Sequence, residues 1–232
     1  MKTNDKYFEY LLSGNRKMLL EIYHFNNNIS EYIHQDYFPF DGYEKLKPVI
    51  ISDDNITNQW NEIFKNLNGI NDCGSYDFSD PSSLLLLLSY NEITNIIYAL
   101  GGICFADVIR KIIIRQEMLG LKQAMGDDIY SFSVRSGVLM LNAEIAAMLR
   151  SDGETIEEKV FNTGRKIIES LLCDLPDSML KRFTLKFPKN FGWDFENKES
   201  DKKHFRLIQK VIQNIFKDKK SFIMKEIGGA KC

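Results

Sequence analysis

The 232-residue sequence has few proline, glycine, cysteine and histidine residues, with 5, 14, 4 and 3 of them respectively. Few turn-forming residues disfavour a sandwich of many short strands and favour long helices. The histidines, His24, His34 and His204, are too few and too far apart to form a metal site. We therefore expect a mostly helical protein that holds no metal and no cofactor.

The cysteines and the amino terminus indicate where the chain resides. No CxxC spacing occurs among Cys73, Cys104, Cys173 and Cys232, which favours reduced thiols over a zinc site or a disulfide framework. The opening residues, MKTNDKYFEYLLSG, scatter charges where a signal peptide would have an apolar run. We expect a cytoplasmic protein.

Sequence motifs of catalysis are also missing. The chain has no GxxxxGK[ST] or GxGxxG phosphate-binding loop, no GxSxG nucleophile elbow and no HExxH zinc motif. The acidic pairs Asp53-Asp54 and Asp127-Asp128 stand where helices are predicted to begin, and carboxylates at such positions cap free backbone N–H groups. We expect no catalytic residue, although a site dispersed over the sequence would escape this reasoning.

Charge is divided unevenly along the chain. Residues 181–232 carry 14 basic and 6 acidic residues, whereas residues 1–180 carry 16 basic and 26 acidic ones. The basic end indicates an anionic partner, which could be an acidic protein, a lipid headgroup or a nucleic acid, or else it is a solvated helix face. Because the isoelectric point is about 6.0, we expect no nucleic-acid partner.

The spacing of apolar residues predicts a multi-helix domain with three subregions, residues 1–80, 81–175 and 176–232. Thr155 and Glu158 form a capping-box pattern, and Asp80-Pro81 predicts the start of a helix that contains five consecutive leucines. Residues 93–109 are strongly apolar, with Gly101-Gly102 in the middle. They predict a buried core helix or two helices hinged at the glycines, with a membrane span as the alternative.

The carboxyl-terminal subregion contains the candidate binding residues. Residues 183–187 alternate apolar and polar side chains, which predicts a short β arm. Phe191, Trp193 and Phe195 form either a flap on the core or an exposed anchor. The last helix, over about residues 200–217, places apolar residues on one side and basic residues on the other. We predict protein binding by Phe191, Trp193 and Phe195 as anchors, with Arg182, Lys186, Arg206 and Lys210 as charges that steer a partner.

The order of these segments resembles a known family. The stretches IIYALGGICFADVIRKIIIRQEMLG (residues 96–120), VRSGVLML (134–141) and LPDSMLKRFTLKFPKN (175–190) are similar to the K component of the type III secretion sorting platform, the SctK or YscK family. The third stretch, in which basic residues and a Thr-Leu pair lead to Pro188, is the most distinctive. The resemblance covers roughly residues 84–216.

This resemblance implies a non-catalytic cytoplasmic adaptor located at the inner membrane but not spanning it. Members of the family link the cytosolic pods, built from SctQ and SctL, to the cytoplasmic domain of the inner-membrane ring protein SctD. Two other classes remain open, a helical regulator or chaperone-like binding protein and an enzyme without a readable site.

Overall fold

A computed structural model describes residues 15–38, 42–70, 74–196, 200–216 and 221–229. These residues form 14 α-helices and no strand, which confirms the multi-helix fold class. The helices are α1 (Arg16–Asn27), α2 (Ile29–Tyr32), α3 (Tyr43–Ile51), α4 (Asp54–Leu67), α5 (Tyr90–Cys104), α6 (Ala106–Ile109), α7 (Arg115–Met125), α8 (Asp127–Phe132), α9 (Val138–Met140), α10 (Ala143–Leu149), α11 (Ile156–Leu172), α12 (Asp177–Thr184), α13 (His204–Ile215) and α14 (Phe222–Gly229). Three 3₁₀ helices, Gln35–Tyr37, Pro81–Leu87 and Lys189–Phe191, and one π-helical turn, Ser133–Gly137, lie between them.

The chain is divided between two compact units, and it enters each of them twice. Unit 1 contains the residues up to Tyr90 together with Asp174–Trp193. Unit 2 contains Asn91–Cys173 together with the residues from Asp194 onward. The single domain with three subregions stays a prediction.

Local signals in the sequence set several helix starts. The Thr155 side chain accepts a hydrogen bond from the Glu158 backbone N–H at 3.1 Å, and the Glu158 carboxylate accepts from the backbone N–H of Thr155, so the predicted capping box is present. Asp53 and Asp80 also cap the helices that follow them. Each cap satisfies N–H groups that have no partner within their own helix.

The apolar stretch around Gly101-Gly102 is a core helix. Helix α5 continues through both glycines and ends at Cys104, so the structure has no hinge there. Every residue from Ile96 to Cys104 except Tyr98 is buried. Within the described residues no single helix is long and apolar enough to cross a membrane, and one bent pair, Asp127–Met140 with Ala143–Leu149, meets those limits by length and composition.

The β arm predicted for residues 183–187 is wrong. Helix α12 continues to Thr184, and a turn follows in which the N–H groups of Lys186 and Phe187 donate to the carbonyls of Phe183 and Thr184 at 3.1 Å. Phe183 and Phe187 are four residues apart, a spacing that suits a helix as well as a strand. The spacing of the two rings therefore did not distinguish helix from strand, and both rings are buried on helical backbone.

The core of unit 1 combines residues that are distant in the sequence. It includes one buried cluster of apolar side chains from α2, α3, α4, the segments that follow α2 and α4, and the turn after α12, namely Ile29, Ile33, Phe38, Ile50, Phe64, Ile70 and Leu185. Four of the five consecutive leucines are also buried, in the Pro81–Leu87 helix and its carboxyl-terminal cap. The return of the chain at Asp174 supplies α12, which contacts that 3₁₀ helix.

Candidate protein-binding surfaces

The predicted aromatic loop is packed against its own unit. The Trp193 ring stacks on Phe191 with 4.9 Å between ring centroids, and it lies 5.0 Å from Phe187 and 5.2 Å from Phe183. Gly192 has a φ of 77°, a left-handed conformation that turns the chain between the two loop aromatics. Phe191 and Trp193 are half-buried. Of the two predicted alternatives, the geometry favours a flap on the core.

Phe195, the third predicted anchor, is assigned to the other unit. It is half-buried and belongs to unit 2, whereas Phe191 and Trp193 belong to unit 1. The adjoining backbone is held in unit 2, where the N–H of Asp194 donates to the buried carboxylate of Glu169 at 3.0 Å. A joint role of the three aromatic residues in protein binding stays a prediction.

Arg182 and Lys186, predicted as steering charges, are buried in unit 1. A charge must face the solvent to steer an approaching partner, because steering depends on the potential outside the protein. The guanidinium of Arg182 donates from Nη1 to the carbonyl of Ser178 at 3.2 Å. Both residues are structural, and the prediction of a steering role for them is corrected.

Lys186 closes the end of the leucine-rich 3₁₀ helix. Its Nζ donates to the carbonyl oxygens of Leu86 at 2.6 Å and Leu88 at 2.8 Å, where the last turn of the helix presents free acceptors. The ammonium group also lies over the rings of Phe25, at 5.2 Å, and Tyr32, at 5.1 Å. Cation–π attraction and charge-assisted hydrogen bonds together offset the loss of hydration.

Arg206 and Lys210 are exposed on α13, as the sequence predicted. The same helix buries Ile208, Val211 and Ile212, and Lys203 adds a third exposed cation just before it. We name Lys203, Arg206 and Lys210 the basic face of unit 2. Residues 217–220, which continue the basic sequence, lie outside the described residues.

Unit 1 exposes an apolar stripe on α4 that the sequence reasoning missed. The helix turns Thr57, Asn61 and Phe64 inward. Ile56, Ile63 and Leu67 remain exposed, Ile63 at 42% and Leu67 at 62%. Together with the half-buried Trp60, they repeat at spacings of four, three and four residues. This is the spacing of the apolar residues through which two helices pack side by side. We name these four residues the α4 stripe; their helical spacing in the sequence was the available signal.

The packing of Trp193 leads to a testable prediction. Because the half-buried indole contacts three aromatic rings, we expect Trp193→Ala to lower the free energy of unfolding by about 2 kcal/mol. Urea unfolding followed by far-UV circular dichroism measures this change. Tyr23→Ala, at an exposed ring on α1, is the control and should stay within about 0.5 kcal/mol of the parent. If Trp193→Ala unfolds at the same urea concentration as the parent but no longer binds a partner protein, Trp193 is instead an anchor.

A cavity of about 330 Å³ lies within unit 2. Carboxylates of Glu92, Asp127 and Asp128 border it, and apolar side chains such as Met125 and Phe216 form much of the rest.

No group of three or more His, Cys, Asp or Glu residues in the described parts of the chain could hold a metal ion. Burial raises the pKa of the Cys104 thiol to about 12, which keeps it protonated and a poor nucleophile; Cys73 and Cys232 lie outside the described residues.

Comparison with known proteins agrees with the resemblance noted in the sequence. A family model described as YOP proteins translocation protein K (YscK) matches residues 19–221, which is most of the chain. Searches of curated proteins and of solved structures gave no match. The chain therefore belongs to the YscK family and is a component of a type III secretion system.

Proposed function

We propose that this protein is a non-catalytic cytoplasmic adaptor that links the sorting-platform pods, through SctQ and SctL, to the cytoplasmic domain of the inner-membrane ring protein SctD. The observation that carries the proposal is a pair of exposed surfaces with different chemistry, the α4 stripe on unit 1 and the basic face on unit 2. An adaptor needs two independent surfaces, and each of these suits a different type of contact.

The α4 stripe suits an amphipathic helix of a partner. Its four apolar residues follow the alternating four- and three-residue spacing of a helix–helix seam. The seam is bordered by Gln59 and Asn66, which carry no charge. Shape and apolar burial would therefore determine this contact more than charge pairing.

The basic face suits an acidic surface. Lys203, Arg206 and Lys210 are exposed, and α13 is held in place by its buried apolar side. Exposed charges mainly increase the association rate and set orientation, and their effect falls as salt increases. A partner bound through this face should dissociate as the ionic strength rises.

The test measures binding of the full-length chain to the purified cytoplasmic domain of SctD and, separately, to SctQ and the SctQ–SctL complex. For Arg206→Glu with Lys210→Glu, we expect binding to one of these partners to weaken at least about tenfold, because repulsion replaces attraction. Arg16→Glu with Lys181→Glu, at two exposed cations of unit 1, changes the net charge equally and is the matched control.

A second pair of substitutions tests the other surface. Ile63→Asn with Leu67→Asn should weaken binding of the other partner while leaving the first unchanged, and Leu20→Asn on α1 is the control at an exposed leucine. If neither pair affects any of these partners, or if the parent protein binds none of them, the adaptor proposal is wrong. Salt-sensitive binding of DNA through Arg206 and Lys210 would replace it with a nucleic-acid function.

A further inference from the structure

The connection between α6 and α7 exposes two adjacent isoleucines. The side chain of Ile113 is 96% exposed and that of Ile114 is 58% exposed. Isoleucine is among the residues most often buried, so a nearly fully exposed one next to another is unusual. We name Ile113 and Ile114 the isoleucine tip.

The backbone on both sides of the tip is held by hydrogen bonds. The N–H of Ile112 donates to the carbonyl of Ile109 at 3.2 Å, so the turn before the tip is closed. After the tip, the carbonyl of Ile114 accepts from the N–H of Met118 at 3.1 Å as α7 begins. The isoleucine tip is therefore the short apex of a helix–turn–helix arrangement.

Cations flank the tip on both sides. Arg110 and Lys111 precede it, Arg115 follows it, and all three are exposed. The nearest acidic residue after the tip is Glu117, also exposed, while Asp107 before it is paired with Arg150. The immediate surroundings of the isoleucines are therefore positively charged.

A second apolar group lies on the segment to which Arg110 is bonded. The Arg110 guanidinium donates to the carbonyl of Val134 and, from Nη2, to that of Arg135 at 2.9 Å. Just beyond these residues, Leu139 of α9 is 86% exposed and Met148 of α10 is 85% exposed. The exposed Arg135 adds a fourth cation, and Glu144 an acidic residue.

We propose that unit 2 docks on an anionic phospholipid bilayer by inserting the isoleucine tip, with Lys111 and Arg115 against the lipid phosphates. An apolar apex with cations at its base matches the layered chemistry of a bilayer surface, in which the acyl chains lie beneath negatively charged headgroups. A side chain as exposed as Ile113 stands clear of its neighbours, which suits insertion into a deformable lipid layer. This contact goes beyond the adaptor function, and it uses neither the α4 stripe nor the basic face.

The experiment is flotation of the purified full-length protein with lipid vesicles. We expect binding to vesicles of phosphatidylethanolamine with phosphatidylglycerol, and little binding to vesicles of phosphatidylcholine alone. Ile113→Asn with Ile114→Asn should weaken binding to the anionic vesicles by about tenfold or more, because it removes the inserted apolar surface. Lys111→Gln with Arg115→Gln should weaken it about fivefold per charge and reduce its dependence on salt.

The matched control is Ile63→Asn with Leu67→Asn, which alters exposed apolar residues of unit 1 and should bind the vesicles as the parent does. Since Ile113 is almost fully exposed, its variant should retain the parent's circular dichroism and thermal unfolding. The proposal fails if the parent does not bind anionic vesicles, or if the tip variant binds them equally well. If the parent binds no vesicles and the tip variant no longer binds SctD or SctQ, the isoleucine tip is a protein contact and the proposal is wrong.

Discussion

Gly164→Ala is expected to destabilise unit 2 by about 3 kcal/mol, the upper end of the usual cost of overpacking a core. Helices α5 and α11 approach so closely that a Cβ atom at Gly164 would collide with the backbone carbonyl of Ile97. In the same way, a Cβ atom at Gly101 would collide with the carbonyl of Val160. Backbone atoms cannot move aside as a flexible side chain can, so the two helices would have to separate.

The reciprocal arrangement strengthens this expectation. Ile97 and Gly101 are four residues apart on α5, as are Val160 and Gly164 on α11, so each helix presents one glycine to the backbone of the other. Because either substitution separates the same helices, Gly101→Ala should have a similar cost. The double variant should cost less than the sum of the two single ones.

Urea unfolding of the full chain provides the measurement, and Gly120→Ala is the matched control. Gly120 is exposed on α7, and a Cβ atom there would contact nothing within 4 Å. Alanine is the better helix former, so this variant should be as stable as the parent or up to about 1 kcal/mol more stable. If Gly164→Ala and the parent unfold with the same urea midpoint, the close packing of α5 and α11 is contradicted.

Lys186→Met is expected to destabilise unit 1 by about 3 kcal/mol. Methionine keeps the length and apolar stem of lysine but removes the donor that the carbonyls of Leu86 and Leu88 share. Replacing buried charges by apolar residues is often neutral when every polar partner is replaced as well. Here both carbonyls remain buried without their charged donor, which is the costly case.

Lys181→Met is the control for this substitution. Lys181 is exposed on α12, the helix just before Lys186, so its replacement should change the free energy of unfolding by no more than about 0.5 kcal/mol. The loss in Lys186→Met should also appear as faster amide hydrogen exchange in residues 81–88, because the end of the 3₁₀ helix loses its cap. If Lys186→Met unfolds as the parent does, Lys186 does not stabilise this helix.

Buried Lys186 lies in the most distinctive stretch of the family resemblance. The stretch from Leu175 to Asn190 suggested a basic arm with surface charges. In the structure Lys186 and Arg182 lie inside unit 1. In this chain the stretch therefore forms a packed helix and turn, and two of its basic residues are not available as surface charges.

Helix starts and fold class could be predicted because they depend on interactions a few residues apart. The Thr155 capping box, the Asp53 and Asp80 caps and the amphipathic pattern of α13 are all confirmed. The period-two pattern of residues 183–187 led to a wrong prediction, since Phe183 and Phe187 also satisfy helical spacing. Both rings can be buried with either period, so their spacing alone could not decide between helix and strand; in the structure α12 continues through Phe183 to Thr184.

The sequence by itself determined that this protein is a multi-helix member of the YscK family, and that its last helix carries Arg206 and Lys210 opposite an apolar side. Only the tertiary structure decided which groups face the solvent. It buried Lys186, packed Trp193 on its own aromatic neighbours, and left Leu67 and Ile113 exposed. The physical reason is that helical spacing specifies which residues share a face, whereas burial depends on what packs against that face from distant parts of the chain.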